Sequence, residues 1–82
     1  MTVRNNLVFN NNSVGISIGG YASNVGGTSD CTIINNSLLE NDSKSTGSGE
    51  LQVQYYATSD VLENNIVYAT KQTLFINNYT NN

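Results

Sequence analysis

The chain contains no histidine, tryptophan or proline, and its one cysteine is Cys31. The absence of histidine excludes a Ser-His-Asp nucleophilic triad and a histidine-rich metal site. A single cysteine cannot form a disulfide within the chain. Three basic residues against six acidic ones argue against a nucleic acid or an anionic membrane surface as partner, because both need clustered Lys and Arg. No apolar run is long enough to cross a membrane, so membrane insertion is not expected either.

Asparagine is abundant instead and occupies 15 of the 82 positions. It marks a phrase that occurs three times: an apolar residue, any residue, two asparagines, any residue and another apolar residue. The copies begin at Val3, Ile33 and Leu62, and the second asparagine recurs after 30 and then 29 residues. A fixed period of this size predicts an architecture of stacked repeats.

Short segments follow each copy of the phrase, in which apolar and polar residues alternate, and none has a helical period. We therefore predict an all-β fold, a parallel β-helix of about three coils with three short strands in each. Strands that stack at about 4.8 Å from one coil to the next bring equivalent inward residues into apolar columns. The predicted columns are Val3/Ile33/Leu62, Val8/Leu38/Val67, Ile16/Leu51/Leu74 and Ile18/Val53/Ile76.

The asparagine pair has a physical explanation at a bend between two strands. A sharp bend needs a residue in the left-handed region, which Asn tolerates better than most residues. Identical Asn side chains stacked at the strand spacing also hydrogen-bond to one another and to the turn backbone. We place this ladder at Asn6, Asn36 and Asn65 and interpret it as structural rather than as a ligand site.

The loops between the strands differ in length. From the ladder asparagine to the next inward residue there are 10 residues in the first coil, 15 in the second and 9 in the third. The insertion in the second coil is 41–49, and another long loop is 19–29. Such insertions often form the binding face of a solenoid.

The three Asn-Asn phrases, with the strands 15–18, 50–53 and 73–76 between them, resemble the right-handed parallel β-helix repeats of the pectate-lyase-like superfamily. The resemblance covers essentially the whole chain. It implies a right-handed coil and an extracellular or cell-surface protein associated with polysaccharide. It assigns no catalytic residue, because the calcium-binding carboxylate cluster and the basic proton abstractor of the lyases have no recognisable counterpart here.

Candidate carbohydrate-binding residues lie on the outward positions of the second-coil strand. Glu50, Gln52 and Gln54 offer a carboxylate and two amides for sugar hydroxyls, and Tyr56 offers an aromatic surface for a sugar ring. Tyr21 and Tyr79 are expected in the same column as Tyr56. The alternative is a solvated strand face with a tyrosine that only packs at a corner.

Other chemistry has less support in the sequence. Calcium binding would require Asp30, Asp42 and Asp60 to approach one another, but Asp is a common turn former and we expect no cofactor. A two-carboxylate glycosidase mechanism would need Glu50 paired with Asp42 or Asp30 through a folded-back loop, which the spacing does not demand. Cys31 is expected to face inward and to be unreactive.

Three functions therefore stay open. The chain is a scaffold segment of a secreted or cell-surface protein associated with polysaccharide, a fragment of a polysaccharide lyase or glycoside hydrolase, or a structural spacer of an adhesin or tailspike. We interpret residues 1–82 as one segment of a longer β-helix, because uncapped ends expose core and unpaired strand edges. Neighbouring coils of that longer chain, or a second copy bound through the exposed ends, are the expected protein partners.

Overall fold

The computed structural model describes residues 1–22 and 25–77. None of these residues lies in a helix, so the described part of the chain has no helix that could cross a membrane. The strands are β1 (Thr2–Arg4), β2 (Leu7–Phe9), β3 (Ile16–Ile18), β4 (Thr28–Ser29), β5 (Thr32–Ile34), β6 (Ser37–Leu39), β7 (Leu51–Val53), β8 (Ala57–Thr58), β9 (Val61–Glu63), β10 (Ile66–Tyr68) and β11 (Phe75–Asn77).

Equivalent strands of successive repeats pair in parallel. Sheet A contains β1, β5 and β9, sheet B contains β2, β6 and β10, and sheet C contains β3, β7 and β11. The two-residue strands β4 and β8 form sheet D, which the sequence did not predict. The prediction of an all-β fold is confirmed, and parallel strands in stacked three-strand rungs are compatible with a β-helix-like solenoid.

The apolar columns of sheets A and B are confirmed. Val3, Ile33 and Leu62 lie in register in sheet A, and the inward residues of sheet B are aligned in the same way. Among the described residues, the core is centred on the second repeat, because its strands are paired on both sides. Its buried apolar side chains, with one from the first repeat, are Ile18, Cys31, Ile33, Leu38, Leu51, Val53 and Ala57.

The columns of sheet C are correct for the first two repeats and wrong for the third. Phe75, not Leu74, is in register with Leu51, and Ile76 is in register with Gln52 rather than with Val53. Three consecutive apolar residues stand at this point of the chain, so alternation alone could not decide which of them faces inward.

The spacing of the repeats explains the observed register of β11. Phe75 follows Thr70 by five positions, as Ile16 follows Asn11 by five positions, so the third repeat reproduces the spacing of the first. The distance from the ladder asparagine to the inward residue is therefore the same in these two repeats. The second repeat alone carries the longer connection.

The two asparagines of each phrase have different tasks. The first one adopts the left-handed conformation, with φ of 59° at Asn5, 56° at Asn35 and 57° at Asn64. This conformation turns the chain out of the preceding strand and costs most L-residues about 1–2 kcal/mol, a penalty that Asn reduces by local hydrogen bonding. The second asparagine connects the repeats.

The predicted ladder at Asn6, Asn36 and Asn65 is confirmed. Oδ1 of Asn36 accepts hydrogen bonds from the backbone N–H of Asn6 at 3.1 Å and from its Nδ2 at 3.0 Å. Nδ2 of Asn36 donates to the carbonyl oxygen of Val3 at 3.0 Å and to Oδ1 of Asn65 at 3.1 Å. The Asn36 side chain is 1% exposed, so these bonds are shielded from water.

The same corner is built at two other places in the repeat. A left-handed residue ends the strand at Asn10 and Glu40, and again at Asp30 and Ser59. The residue after it connects the repeats, as in the hydrogen bonds from Asn11 to Asn41 and from Cys31 to Asp60. The fold therefore has a common corner unit. A left-handed residue comes first, and the side chain of the next residue accepts a backbone N–H from the equivalent residue of the preceding repeat.

Replacement of the central ladder residue should destabilise the chain strongly. Asn36→Ala removes the buried amide that bonds to Val3 and Asn6 in one neighbouring repeat and to Asn65 in the other, and we expect a loss of about 2–4 kcal/mol in the free energy of unfolding. Asn35→Gly is the matched control, since Gly adopts the left-handed conformation freely and should change stability by less than about 0.5 kcal/mol. Urea unfolding followed by circular dichroism measures both, and equal losses would contradict the ladder's role.

Candidate functional site

A small polar cluster lies on the outer face of sheet C. Leu51 and Val53 face the core, so the residue between them, Gln52, points outward. The hydroxyl of Ser17, in register with Gln52 on β3, lies 3.4 Å from Oε1 of Gln52 and 2.9 Å from Oε1 of Gln54. We call Ser17, Gln52 and Gln54 the amide cluster. The structure thus brings two predicted site residues together through Ser17, an outward residue that was not among the predicted site residues.

Accessibility differs within the amide cluster. Gln52 is only 9% exposed, while Gln54 is half-buried. Ile76 is in register with Gln52 in the third repeat, so the polar surface does not continue along sheet C in that direction. A ligand would therefore reach Gln54 and the first repeat more readily than it would reach Gln52.

Tyr56 stands at the corner before β8 in an unusual backbone conformation. Its φ is 57°, and its side chain is 40% exposed. The other non-glycine residues with positive φ in the described chain are Asn, Asp, Ser or Glu, whose short or flexible polar side chains suit turns. A bulky ring at such a position is a sign of a local requirement for that ring.

The neighbours of Tyr56 leave one side of it open. Its ring centroid lies 6.2 Å from that of Tyr55, at a tilt of 35°. The residue in the equivalent position of the first repeat is Gly27, where a Cβ would lie 3.2 Å from the Cβ of Tyr56. The expectation that Tyr21 shares this column is therefore wrong, because Gly27 takes that position and Tyr21 is 73% exposed elsewhere. Tyr79 lies outside the described residues, so its place in the column stays a prediction.

Glu50 is not on this surface, which corrects the sequence-based expectation. It is fully buried: its Oε2 accepts the backbone N–H of Asn41 at 2.6 Å, and its Oε1 accepts Nδ2 of Asn41 at 2.8 Å. The strand β7 begins only at Leu51, and Gly49 turns the chain with φ of 71°. Strand alternation therefore does not extend to position 50, and both oxygens of this carboxylate are occupied.

Glu50 completes a second ladder. Asn41 accepts from Asn11 as Asn36 accepts from Asn6, but the third repeat carries Thr70 where another asparagine is needed. The Glu50 carboxylate instead accepts the two hydrogen bonds, from the backbone N–H and Nδ2 of Asn41, that such an asparagine would accept. The spacing of 30 residues between Asn11 and Asn41, the spacing of the first ladder, was the signal that could have revealed this.

Gly15 leaves the room that the backbone of Glu50 and the side chain of Asn41 need. A Cβ at Gly15 would lie 2.6 Å from the carbonyl oxygen of Glu50 and 2.9 Å from Nδ2 of Asn41, which is too close for any other residue. Gly15 is therefore required by space rather than by its backbone conformation.

Asp42 organises the inserted loop of the second repeat. Its carboxylate accepts the backbone N–H groups of Thr46 at 2.8 Å, Gly47 at 3.2 Å and Gly49 at 3.0 Å, together with the Thr46 hydroxyl. Burial by itself would raise the pKa of Asp42, but the Thr46 hydroxyl and the three amide donors outweigh it and lower the pKa to about 2. The carboxylate is thus held ionised as the centre of the loop.

The aspartates do not form a metal site. Among residues 1–22 and 25–77, no group of three or more Cys, Asp or Glu side chains is placed to hold a metal ion. Asp60 instead accepts the backbone N–H of Cys31 at 2.8 Å through Oδ1, in the corner unit described above. Cys31 is buried, as expected, and its Sγ lies 3.4 Å from the carbonyl oxygen of Ser29.

Nearly the whole of this chain is similar to part of a longer curated protein. It is 42% identical over 81 residues to the uncharacterized protein YwoF of Bacillus subtilis (strain 168), a match that covers 98% of this chain. The chain spans 17% of the length of that relative. No family model matches the chain, and no solved structure matches it.

Loss of one acceptor oxygen at Glu50 should destabilise the second ladder. In Glu50→Gln, the side-chain amide places a donor against a donor of Asn41, and we expect a loss of about 1–3 kcal/mol in the free energy of unfolding. Glu63→Gln makes the same change at an exposed position and should alter stability by less than about 0.5 kcal/mol. Urea unfolding at neutral pH tests the pair. Equal stability of both variants would show that Glu50 does not hold Asn41.

Acid should destabilise the chain in a window set by Asp42. Its pKa is about 2 in the folded chain and 3.8 in its ordinary state, so between these values the unfolded chain binds a proton that the folded chain does not. The contribution of Asp42 is complete above about pH 4 and is lost as the pH falls through about 2.

The test is urea unfolding from about pH 5 to about pH 2 on the parent and on Asp42→Asn. We expect the variant to be less stable at the upper pH and to lose less stability on acidification. Asp30→Asn removes the same charge from an exposed turn and controls for net charge. Parallel curves for the parent and Asp42→Asn would show that the loop carboxylate is not the group involved.

Proposed function

We propose that this chain is a scaffold segment of a secreted or cell-surface, right-handed parallel β-helix, and that it contacts polysaccharide on the outer face of sheet C. In this proposal the stacked rungs close into coils through the corner units. The ligand contacts Gln54 and Tyr56, and it contacts Gln52 only through the small part of that side chain that is exposed. Glu50 is not among the contacts, because it is buried.

The observation that carries the ligand proposal is the exposed ring of Tyr56, two positions along the chain from Gln54 of the amide cluster. An exposed ring in a left-handed corner provides a flat apolar surface, and Gln54 provides an amide that can donate to and accept from hydroxyl groups. An aromatic ring together with amide and hydroxyl groups suits an uncharged sugar, and the few charged residues of the chain agree with this. A polar strand face alone would not require the bulky residue at position 56.

The scaffold part of the proposal is supported by the buried polar side chains, which form hydrogen bonds within the chain and are therefore occupied by the fold rather than available to a ligand. Asn36, Asn41, Asp42 and Glu50 are buried and hydrogen-bonded to the chain itself. The match to 17% of a longer relative agrees with a segment of a longer protein. The lyase or hydrolase alternative has less support, because Glu50 was the one carboxylate expected on this face.

Retention on immobilised neutral and acidic polysaccharides tests the proposed function. We expect the chain to be retained by at least one glycan and retention to be lost in Gln54→Ala/Tyr56→Ala. Ala and Tyr pay a similar penalty for positive φ, so the double variant should keep the corner.

Tyr68→Ala is the matched control for this experiment. It removes a tyrosine ring that is 55% exposed on the outer face of sheet B, far along the chain from the amide cluster. Its retention should equal that of the parent. If the folded parent is not retained on any glycan, the ligand proposal is wrong and the spacer interpretation is favoured. If both variants lose retention equally, the glycan does not bind on the outer face of sheet C.

A further inference from the structure

The outer face of sheet B is apolar, whereas the outer faces of sheets A and C carry polar residues such as Arg4, Glu63 and Gln52. The outward residues of sheet B are Leu7 and Phe9 on β2, Ser37 and Leu39 on β6, and Ile66 and Tyr68 on β10. Four of them are more than half exposed: Leu7, Phe9, Ile66 and Tyr68. Strands that are apolar at nearly every position are typical of parallel sheets covered on both faces. The part of the chain that the structure describes covers only the inner face.

Further repeats stacked on this chain would not cover the outer face of sheet B. Val8, Leu38 and Val67 fill the inner side of the sheet, so the residues before and after each of them point away from the core. Repeats stack along one axis, and this face lies beside that axis rather than at an end of it. A longer stack would therefore extend the face instead of burying it.

The outer face of sheet B has a gap at its centre. Ser37 lies in register between Leu7 and Ile66, so a small residue stands between two large ones. The other outward column, which contains Leu39, has only large residues. A two-fold axis parallel to the stacking axis would set the first column of one copy against the second column of the other. Leu39 of the second copy then lies over Ser37 and fills the gap.

The charged residues beside sheet B favour the same arrangement. Glu63 and Lys71 are exposed on opposite flanks of β10, each four positions from Val67 along the chain. The two-fold axis that brings Leu39 over Ser37 also brings Glu63 of one copy to the side of Lys71 of the other, at both edges of the contact. A two-fold axis along the strands would instead set Glu40 against Glu40 of the second copy, and like charges oppose association.

The exposed apolar area predicts a weak contact between two copies. Aromatic side chains bury 150–250 Å² each, so the four half-exposed side chains of this face offer together about 400 Å² per copy. A stable interface buries about 800 Å² per partner. Three repeats therefore supply about half of that area, and we expect association only at high protein concentration.

We propose that the outer face of sheet B binds a second copy of this chain, side by side and with the two stacking axes parallel. Leu39 of each copy fills the gap over Ser37 of the other, and Glu63 pairs with Lys71 at both edges. The two-fold axis closes the contact, so association stops at a dimer. The proposal does not depend on glycan binding, which is assigned to sheet C. Because the contact is weak, the chain is monomeric at the low concentrations at which retention on glycans is compared.

Sedimentation equilibrium up to high protein concentration tests the proposed dimer. We expect the parent to approach twice the monomer mass. Ile66→Lys and Tyr68→Lys each place an ammonium group in the apolar contact and should lower the association constant at least about 10-fold. Tyr21→Lys makes the same change at a tyrosine that is 73% exposed outside sheet B, and it should associate like the parent. All three positions are exposed, so the fold should be retained, which circular dichroism checks.

Disulfide trapping tests the orientation of the two copies. Ser37→Cys and Leu39→Cys are oxidised separately and as an equimolar mixture at high concentration. In the proposed dimer position 37 of one copy faces position 39 of the other, so the mixed disulfide should form several-fold faster than either homodisulfide. The thiol of Cys31 is buried, and oxidation of the parent measures its background.

Three outcomes would overturn the proposal. The first is a parent that stays monomeric at high concentration, because another part of a longer protein would then be the cover of this face. The second is association that Ile66→Lys and Tyr68→Lys leave unchanged, which would place the contact elsewhere on the chain. The third is a homodisulfide of Ser37→Cys that forms faster than the mixed disulfide, which would show the other two-fold axis.

Discussion

The fold depends on one hydrogen-bonding unit, the side chain that accepts a backbone N–H from the preceding repeat just after a left-handed turn. At Asn36 this unit joins three repeats, since its amide both accepts and donates. Parallel strands of two or three residues have few ladder bonds of their own. The corners therefore set the register of the sheets, and the apolar columns follow from it.

The same constraint explains how the chain tolerates buried carboxylates with few basic residues. Asp42 and Glu50 are surrounded by N–H donors rather than by cations, which satisfies their oxygens without an ion pair. Asp60 is less well satisfied, because its Oδ2 is buried without a hydrogen-bond partner. An asparagine at this position would have an N–H donor in place of that oxygen. Carboxylates fit this fold where two or more amides converge and fit it poorly elsewhere.

Sequence reasoning found the repeat, the parallel stacking and the first ladder, because these depend on residue type at a fixed period. It placed β11 one residue away from its register, since Leu74, Phe75 and Ile76 are all apolar and only the length of the corner distinguishes them. It placed Glu50 on the surface because alternation was extended past the end of a strand. Both errors arise at corners, where backbone geometry decides the direction of a side chain.

The unequal connections between the second corner and sheet C have a practical consequence. Five positions separate Asn11 from Ile16, whereas ten separate Asn41 from Leu51, and yet both strands meet in register. The extra residues are anchored at their two ends by the hydrogen bonds between Asn41 and Glu50 and internally by Asp42. A foreign peptide that replaced the central residues of this loop would lose the hydrogen bonds to Asp42 but would still be held at both ends by the contact between Asn41 and Glu50.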